Sequence, residues 1–173
     1  MSALPTPTVL TVEDDPIVRA DLRLVLEDAG FDVCADASDG MEAVVLARKH
    51  RPDVILLDLG LPRIDGIEAA RRIRSERTVP IVALTGHSAG GFVERALEAG
   101  ASSYVLKPFG EAELVGALRD ALSSHADQVL RALRAESCGT IDAVLRALGY
   151  PPEWGAEVEE RLYRSGRVWR RAD

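Results

Sequence analysis

The chain has little cysteine: Cys34 and Cys138 are the only two among 173 residues, and they lie far apart without metal-ligand spacing. This pattern indicates two reduced thiols rather than a disulfide framework or a zinc site. No apolar run approaches the roughly 20 residues of a membrane span, and residues 1–7 lack the basic and apolar regions of a signal peptide. We therefore expect a cytoplasmic protein with no membrane contact.

A net positive charge is also missing from both parts of the chain. Residues 1–125 carry 20 acidic and 13 basic side chains, and residues 126–173 carry 8 of each. Because nucleic-acid binding depends on clustered Lys and Arg, neither part indicates DNA binding by its charge. The length fits one core of about 120 residues with a smaller appendage.

Five short apolar runs alternate with helical patterns over the first two thirds of the chain. The run Val54–Leu57 has no polar alternation, which is typical of a parallel strand buried on both faces. Alternating strands and helices predict an α/β fold with a doubly wound parallel sheet and helices on both faces. The predicted strands are residues 8–12, 31–35, 54–58, 79–85 and 102–106. The predicted domains are a mobile lead (1–7), the α/β domain (8–124) and a short all-helical extension (125–173).

Functional groups follow four of these strands. Glu13 and Asp14 follow the first strand, Asp58 ends the third, Thr85 ends the fourth and Lys107 follows the fifth. Because the carboxyl ends of parallel strands meet at one edge of a sheet, these side chains are expected to converge. Three carboxylates there need a compensating cation, and oxygen ligands favour Mg²⁺, whose charge together with that of Lys107 would neutralise the site.

This pocket suits phosphoryl transfer. Asp58 is an ionised carboxylate that can attack phosphorus, and aspartyl phosphates are a known type of covalent intermediate. Transfer requires in-line positioning and neutralisation of the phosphoryl oxygens. The metal, the Lys107 ammonium and the Thr85 hydroxyl can each bind one phosphoryl oxygen.

Over about residues 8–124 the chain resembles the receiver domain of two-component response regulators. Such a resemblance implies a flavodoxin-like fold with five strands in the order 2-1-3-4-5. The motifs that carry it are Val12-Glu13-Asp14-Asp15, Leu57-Asp58-Leu59-Gly60-Leu61-Pro62, Asp65-Gly66, Ala83-Leu84-Thr85-Gly86 and Lys107-Pro108-Phe109 followed by Glu113-Leu114.

The resemblance also implies chemical roles. Asp58 would accept phosphate from a histidine kinase or a histidine phosphotransfer protein. Asp14, Asp58 and the carbonyl of Gly60 would bind Mg²⁺ directly, with Glu13 acting through a water molecule. Asp15 follows the acidic pair and is expected to be peripheral.

A switch is implied as well: Thr85 moves toward the phosphoryl group and Tyr104 turns inward, although Tyr104 could also be only a half-buried strand residue. Gly60 and His87 each lie two residues beyond a site residue. The resemblance implies that residues at these two positions vary within the family and tune the lifetime of the phosphate. The expected protein is not an enzyme with a separate substrate, because a phosphatase would need a second acid after the nucleophile, where Leu59 and Gly60 stand.

The extension, residues 125–173, carries weaker patterns. Helical spacing predicts short amphipathic helices, and the extension is expected to support a homodimer, alone or with the last receiver helices, or to dock a partner. The alternative is a minimal helix-turn-helix that binds DNA in a transcription regulator. Glu153, Glu157, Glu159 and Glu160 on its would-be recognition helix disfavour DNA. No catalytic triad is present in this segment.

Overall fold

The computed structural model describes residues 6–62, 64–86 and 91–135, with side chains omitted at 126, 127 and 129–135. Residues 6–122 form one compact unit, and residues 123–135 are the described part of a second one. Five strands alternate with five helices in the described residues. They are β1 Thr8–Val12, α1 Pro16–Asp28, β2 Asp32–Ala37, α2 Gly40–His50, β3 Val54–Asp58, α3 Gly66–Glu76, β4 Ile81–Thr85, α4 Phe92–Glu98, β5 Ser103–Leu106 and α5 Glu111–Ala135.

All neighbouring strands are parallel, and their order is β2-β1-β3-β4-β5. Every residue of β3 and β4 is buried. Apolar side chains of α2, α3 and α4 cover one face of the sheet, and those of α1 and α5 cover the other. The predicted doubly wound, flavodoxin-like fold is thus confirmed.

Aspartates begin three of the helices. Asp15 accepts hydrogen bonds from the amides of Ile17 and Val18 at the start of α1. Asp39 and Asp65 each accept one from an amide three residues later, at the starts of α2 and α3. Each cap satisfies amides that a helix leaves without a partner, and thereby fixes where the loop ends.

Several strand boundaries differ from the sequence-based expectation. β2 begins at Asp32 instead of residue 31, β4 at Ile81 instead of residue 79, and β5 at Ser103 instead of residue 102. β2 continues to Ala37 instead of ending at Ala35, because its register with β1 shifts between Val9 and Leu10 and pairing resumes as far as Val12. Helix α5 continues without a break through Ser123 and Ser124 to Ala135. Serine lowers helix propensity only modestly, so two serines do not end a long helix.

The predictions for residues 1–5 and for the helices beyond Ala135 lie outside the described residues. In the part of the chain that is described, no helix combines the length and the apolar character needed to cross a membrane.

Candidate functional site

The polar groups that follow the strands meet at one edge of the sheet, as the sequence predicts. Backbone hydrogen bonds extend the strand pairing just past the strand ends: the Leu59 amide donates to the Leu84 carbonyl at 2.9 Å, and the Lys107 amide to the Thr85 carbonyl at 2.8 Å. On the other side, the Glu13 amide donates to Ala37 at 3.0 Å. These bonds hold the loops that carry the site in register with the rigid sheet.

Lys107 lies between two carboxylates. Its Nζ donates to Oε2 of Glu13 at 2.7 Å and to Oδ2 of Asp58 at 2.8 Å. The side chains of Glu13 and Asp58 are only 3% and 10% exposed, whereas that of Lys107 is 28% exposed. One ammonium group therefore joins two buried acids that lie far apart in the sequence.

The acidic cluster fits a hard divalent cation. Glu13, Asp14 and Asp58 each offer one carboxylate oxygen, and these three oxygens lie within 4.8 Å of one another. Asp14 is exposed to solvent while the other two are buried, so the cluster opens outward on the Asp14 side. Carboxylates on one open side are the donor set that Mg²⁺ uses when it keeps several water ligands.

The ionisation of the site follows from burial and contact. Burial raises the pKa of Glu13 above its usual range, and the negative charge of Asp58 adds to this, while the hydrogen bond from Lys107 acts in the opposite direction. Burial alone would lower the pKa of Lys107, but its hydrogen bonds to Asp58 and Glu13 raise it overall. Lys107 therefore stays charged, and its positive charge stabilises the ionised form of the two carboxyl groups beside it.

Two glycines shape the surroundings of Asp58. The Gly60 amide donates to Oδ1 of Asp58 at 2.9 Å, so both oxygens of this carboxylate have a donor. A Cβ at Gly66 would lie 2.3 Å from the Asp58 carbonyl oxygen and 2.7 Å from Cα of Leu59. Because only glycine permits that approach, the start of α3 packs directly against the backbone of Asp58. The Gly60 carbonyl remains a predicted metal ligand.

The predicted switch residues occupy different environments. Thr85 is buried, at 3% exposure, and follows the residue that pairs with Asp58 in the sheet. Tyr104 lies on β5 and pairs with Ala83 of β4. It is 43% exposed, so its side chain does not occupy a buried position. His87 lies outside the described residues.

Two contacts with Glu13 were not predicted from the sequence. Asp15, expected to be peripheral, caps α1 and donates its amide to Oε1 of Glu13 at 3.3 Å. Arg19 reaches back from α1, and its Nη1 donates to the carbonyl oxygen of Glu13 at 2.6 Å. The side chain of Asp15 has a readable capping signal in Pro16, the next residue. Nothing in the sequence signals where Arg19 points.

The comparisons with known proteins agree with this geometry. Residues 9–119 match the family model of the response regulator receiver domain. The chain is 45% identical over 115 residues to the transcriptional regulatory protein PdtaR of Mycobacterium tuberculosis, covering 66% of this chain and 56% of that protein. It is 42% identical over 120 residues to the DNA-binding response regulator MtrA of Mycolicibacterium smegmatis, covering 69% and 52%. The chain thus spans about half the length of these relatives.

Solved structures give the same result. A two-component response regulator of the LuxR family from Aurantimonas sp. SI85-9A1 superposes with a TM-score of 0.65 at 41% identity, covering 69% of this chain and 87% of that one. The receiver domain of the sensor histidine kinase PA1611 from Pseudomonas aeruginosa has a TM-score of 0.63 at 37% identity, covering 69% and 99%. That structure holds a magnesium ion in its active-site cleft.

Proposed function

Because the chain belongs to the response regulator receiver domain family, we propose that it accepts a phosphoryl group on Asp58 from a histidine kinase or a histidine phosphotransfer protein. The observation that carries this proposal is the contact of Lys107 with both Asp58 and Glu13, beside Asp14, at the carboxyl edge of the sheet. Such an arrangement supplies a fixed nucleophile and a fixed cation on the same side of the pocket.

The chemistry requires one bond to form and one to break. An oxygen of the Asp58 carboxylate attacks phosphorus, the bond from phosphorus to the donor imidazole breaks, and the freed imidazole nitrogen takes up a proton. Because Gly60 and Lys107 hold the two oxygens of Asp58 at 2.9 and 2.8 Å, the carboxylate is oriented before the donor arrives. The Lys107 ammonium can then transfer one of its hydrogen bonds to a phosphoryl oxygen.

A bound Mg²⁺ would neutralise charge on the phosphoryl oxygens. Asp14 and Asp58 are the carboxylates proposed to hold it directly, with the Gly60 carbonyl, and Glu13 through water. Support comes from the close approach of the three carboxylate oxygens and from the magnesium ion in the cleft of the PA1611 receiver domain.

Phosphorylation would act as a switch rather than as turnover of a separate substrate. A phosphoryl group on Asp58 would attract the hydroxyl of Thr85, which lies one strand away, and the exposed Tyr104 would turn into the space that Thr85 leaves. The protein is then a signalling module, with phosphorylation and autodephosphorylation as its only chemistry. The expected cytoplasmic location belongs to the same proposal.

Phosphate uptake from acetyl phosphate with Mg²⁺ tests the proposal, with phosphate-affinity electrophoresis as the measurement. Asp58→Asn should abolish uptake, because it replaces the attacking carboxylate by an amide. Asp32→Asn is the matched control, since Asp32 is exposed and begins β2, at the opposite edge of the sheet. Equal uptake by the wild-type protein and Asp58→Asn would contradict the assignment.

The output of the switch admits two candidates. The extension, residues 125–173, could support dimerisation or partner docking, as the sequence favours. Transcriptional output is the second candidate, because PdtaR and MtrA are named as transcriptional and DNA-binding regulators. Light scattering of the full chain with and without beryllofluoride and Mg²⁺ separates them: a dimer supports the first. A monomer that binds DNA with a steep salt dependence supports the second.

A further inference from the structure

Arg19 contacts the acidic pair through its backbone rather than through its carboxylates. Nη1 of Arg19 donates to the carbonyl oxygen of Glu13 at 2.6 Å and lies 3.5 Å from that of Asp14. The arginine lies on α1, one turn after the Asp15 cap, and is partly buried. Its guanidinium thus reaches back over the loop that joins β1 to α1.

This loop is held at both ends. At one end the Glu13 amide donates to Ala37. At the other end Asp15 caps α1 with its side chain, and its carbonyl accepts from the Arg19 amide at 2.9 Å. The carbonyls of Glu13 and Asp14 lie between these anchors, and the Arg19 side chain donates to both of them.

We propose that Arg19 is a positioning residue for the metal site, one that fixes the backbone of Glu13 and Asp14 so that their carboxylates converge on Asp58. The inference rests on the proposed function, because it assumes that these carboxylates bind a divalent cation. Arginine suits this task because its planar guanidinium presents donors in a fixed geometry, whereas lysine offers a single flexible ammonium. Groups that orient metal ligands commonly affect metal affinity without touching the ion.

The charge of Arg19 allows a positioning role to be distinguished from a purely electrostatic effect on the metal site. A positive charge beside a cation site repels the cation, so removing that charge alone should strengthen Mg²⁺ binding. Removing an anchor of the ligand backbone should weaken it. The two effects have opposite signs, and the direction of the change therefore distinguishes positioning from simple electrostatics.

The experiment is a calorimetric Mg²⁺ titration of the full chain without a phosphate donor. Arg19→Met should weaken Mg²⁺ binding about tenfold, and Arg19→Lys, which keeps the charge, should recover only part of the loss. Arg23→Met is the matched control: it removes the same charge from the same helix, but Arg23 pairs with Asp36 and Glu27. Its affinity should equal that of the wild-type protein.

Thermal unfolding in EDTA separates positioning from a loss of fold. A weakened Mg²⁺ affinity in an Arg19 variant that keeps its thermal midpoint supports the inference, and Arg19→Lys gives this comparison if Arg19→Met unfolds. Unchanged or tighter binding by the folded variants overturns it.

Asp14→Asn, titrated in parallel, shows which claim has failed. If Asp14→Asn weakens binding but the Arg19 variants do not, only the role of Arg19 is wrong. If Asp14→Asn and the wild-type protein bind Mg²⁺ equally, the metal site of the proposed function fails, and the role of Arg19 fails with it.

Discussion

Replacing Gly66 by alanine tests the close packing of α3 against the nucleophile. The new Cβ would lie 2.3 Å from the Asp58 carbonyl oxygen and 2.7 Å from Cα of Leu59. Both are backbone atoms, so either the start of α3 or the end of β3 must move. Overpacking of this kind costs about 1–3 kcal/mol. The gain of about 0.5–1 kcal/mol that alanine brings in the middle of a helix applies only in small part, because Gly66 is the first residue of α3. We expect a net loss of about 1–2 kcal/mol.

Urea unfolding followed by circular dichroism measures this loss. With an m value of about 2 kcal/mol/M, the midpoint should fall by roughly 0.5–1 M. Gly116→Ala is the matched control, because Gly116 lies within α5 and a Cβ there has no neighbour within 4 Å. That variant should become more stable by about 0.5–1 kcal/mol.

The two substitutions are chemically identical and should change the stability in opposite directions. Gly66→Ala should also weaken Mg²⁺ binding, because the strain falls on the Asp58 backbone. A Gly66→Ala protein as stable as the wild type would refute the packing argument.

Three further predictions concern the same edge of the sheet. Lys107→Ala removes the ammonium between two buried acids and should lower the stability by on the order of 2 kcal/mol in EDTA, and Mg²⁺ should restore part of this loss. Thermal unfolding with and without Mg²⁺ measures the loss and its recovery. A variant as stable as the wild-type protein in EDTA would contradict the role of the ion pair. Since folding raises the pKa of Glu13, the stability that this group contributes is greatest below the ordinary carboxyl range and is lost as the pH rises through the raised pKa. Glu13→Gln should flatten that part of the stability profile in metal-free buffer, and an unaltered profile would exclude Glu13 as its source. Asp65→Ala removes the cap of α3 and should cost about 1 kcal/mol, whereas Asp65→Asn should retain most of the stability; equal losses in urea unfolding would show that the cap is not the cause.

Much of the fold was predictable because buried parallel strands have a recognisable sequence pattern. The buried runs of β3 and β4 are continuous and apolar, and each ends in a functional group, Asp58 or Thr85. Once the strands are known to be parallel, those ends must share an edge. The convergence of Lys107 on Asp58 follows from topology, without any local signal that links the two residues.

The errors fall where the local pattern is weak. β2 is an edge strand whose burial is partial and which includes Asp32 and Asp36, so its end could not be located from apolar alternation. The register shift beside Val9 and Leu10 is equally invisible in the sequence.

The contribution of Arg19 was missed for a different reason. A long side chain that bonds to backbone carbonyls leaves no motif, since any residue can supply the carbonyl. The same holds for Gly66: the motif marks the glycine, but the atoms that require it belong to Asp58 and Leu59.

The most direct test of the central claim is to locate the phosphoryl group chemically. After reaction with acetyl phosphate and Mg²⁺, borohydride reduces an aspartyl phosphate to homoserine, which peptide mass spectrometry can place in the sequence. The proposed function predicts homoserine at position 58 and at no other aspartate. Homoserine elsewhere, or a phosphorylated protein whose Asp58 peptide is unmodified, would contradict it.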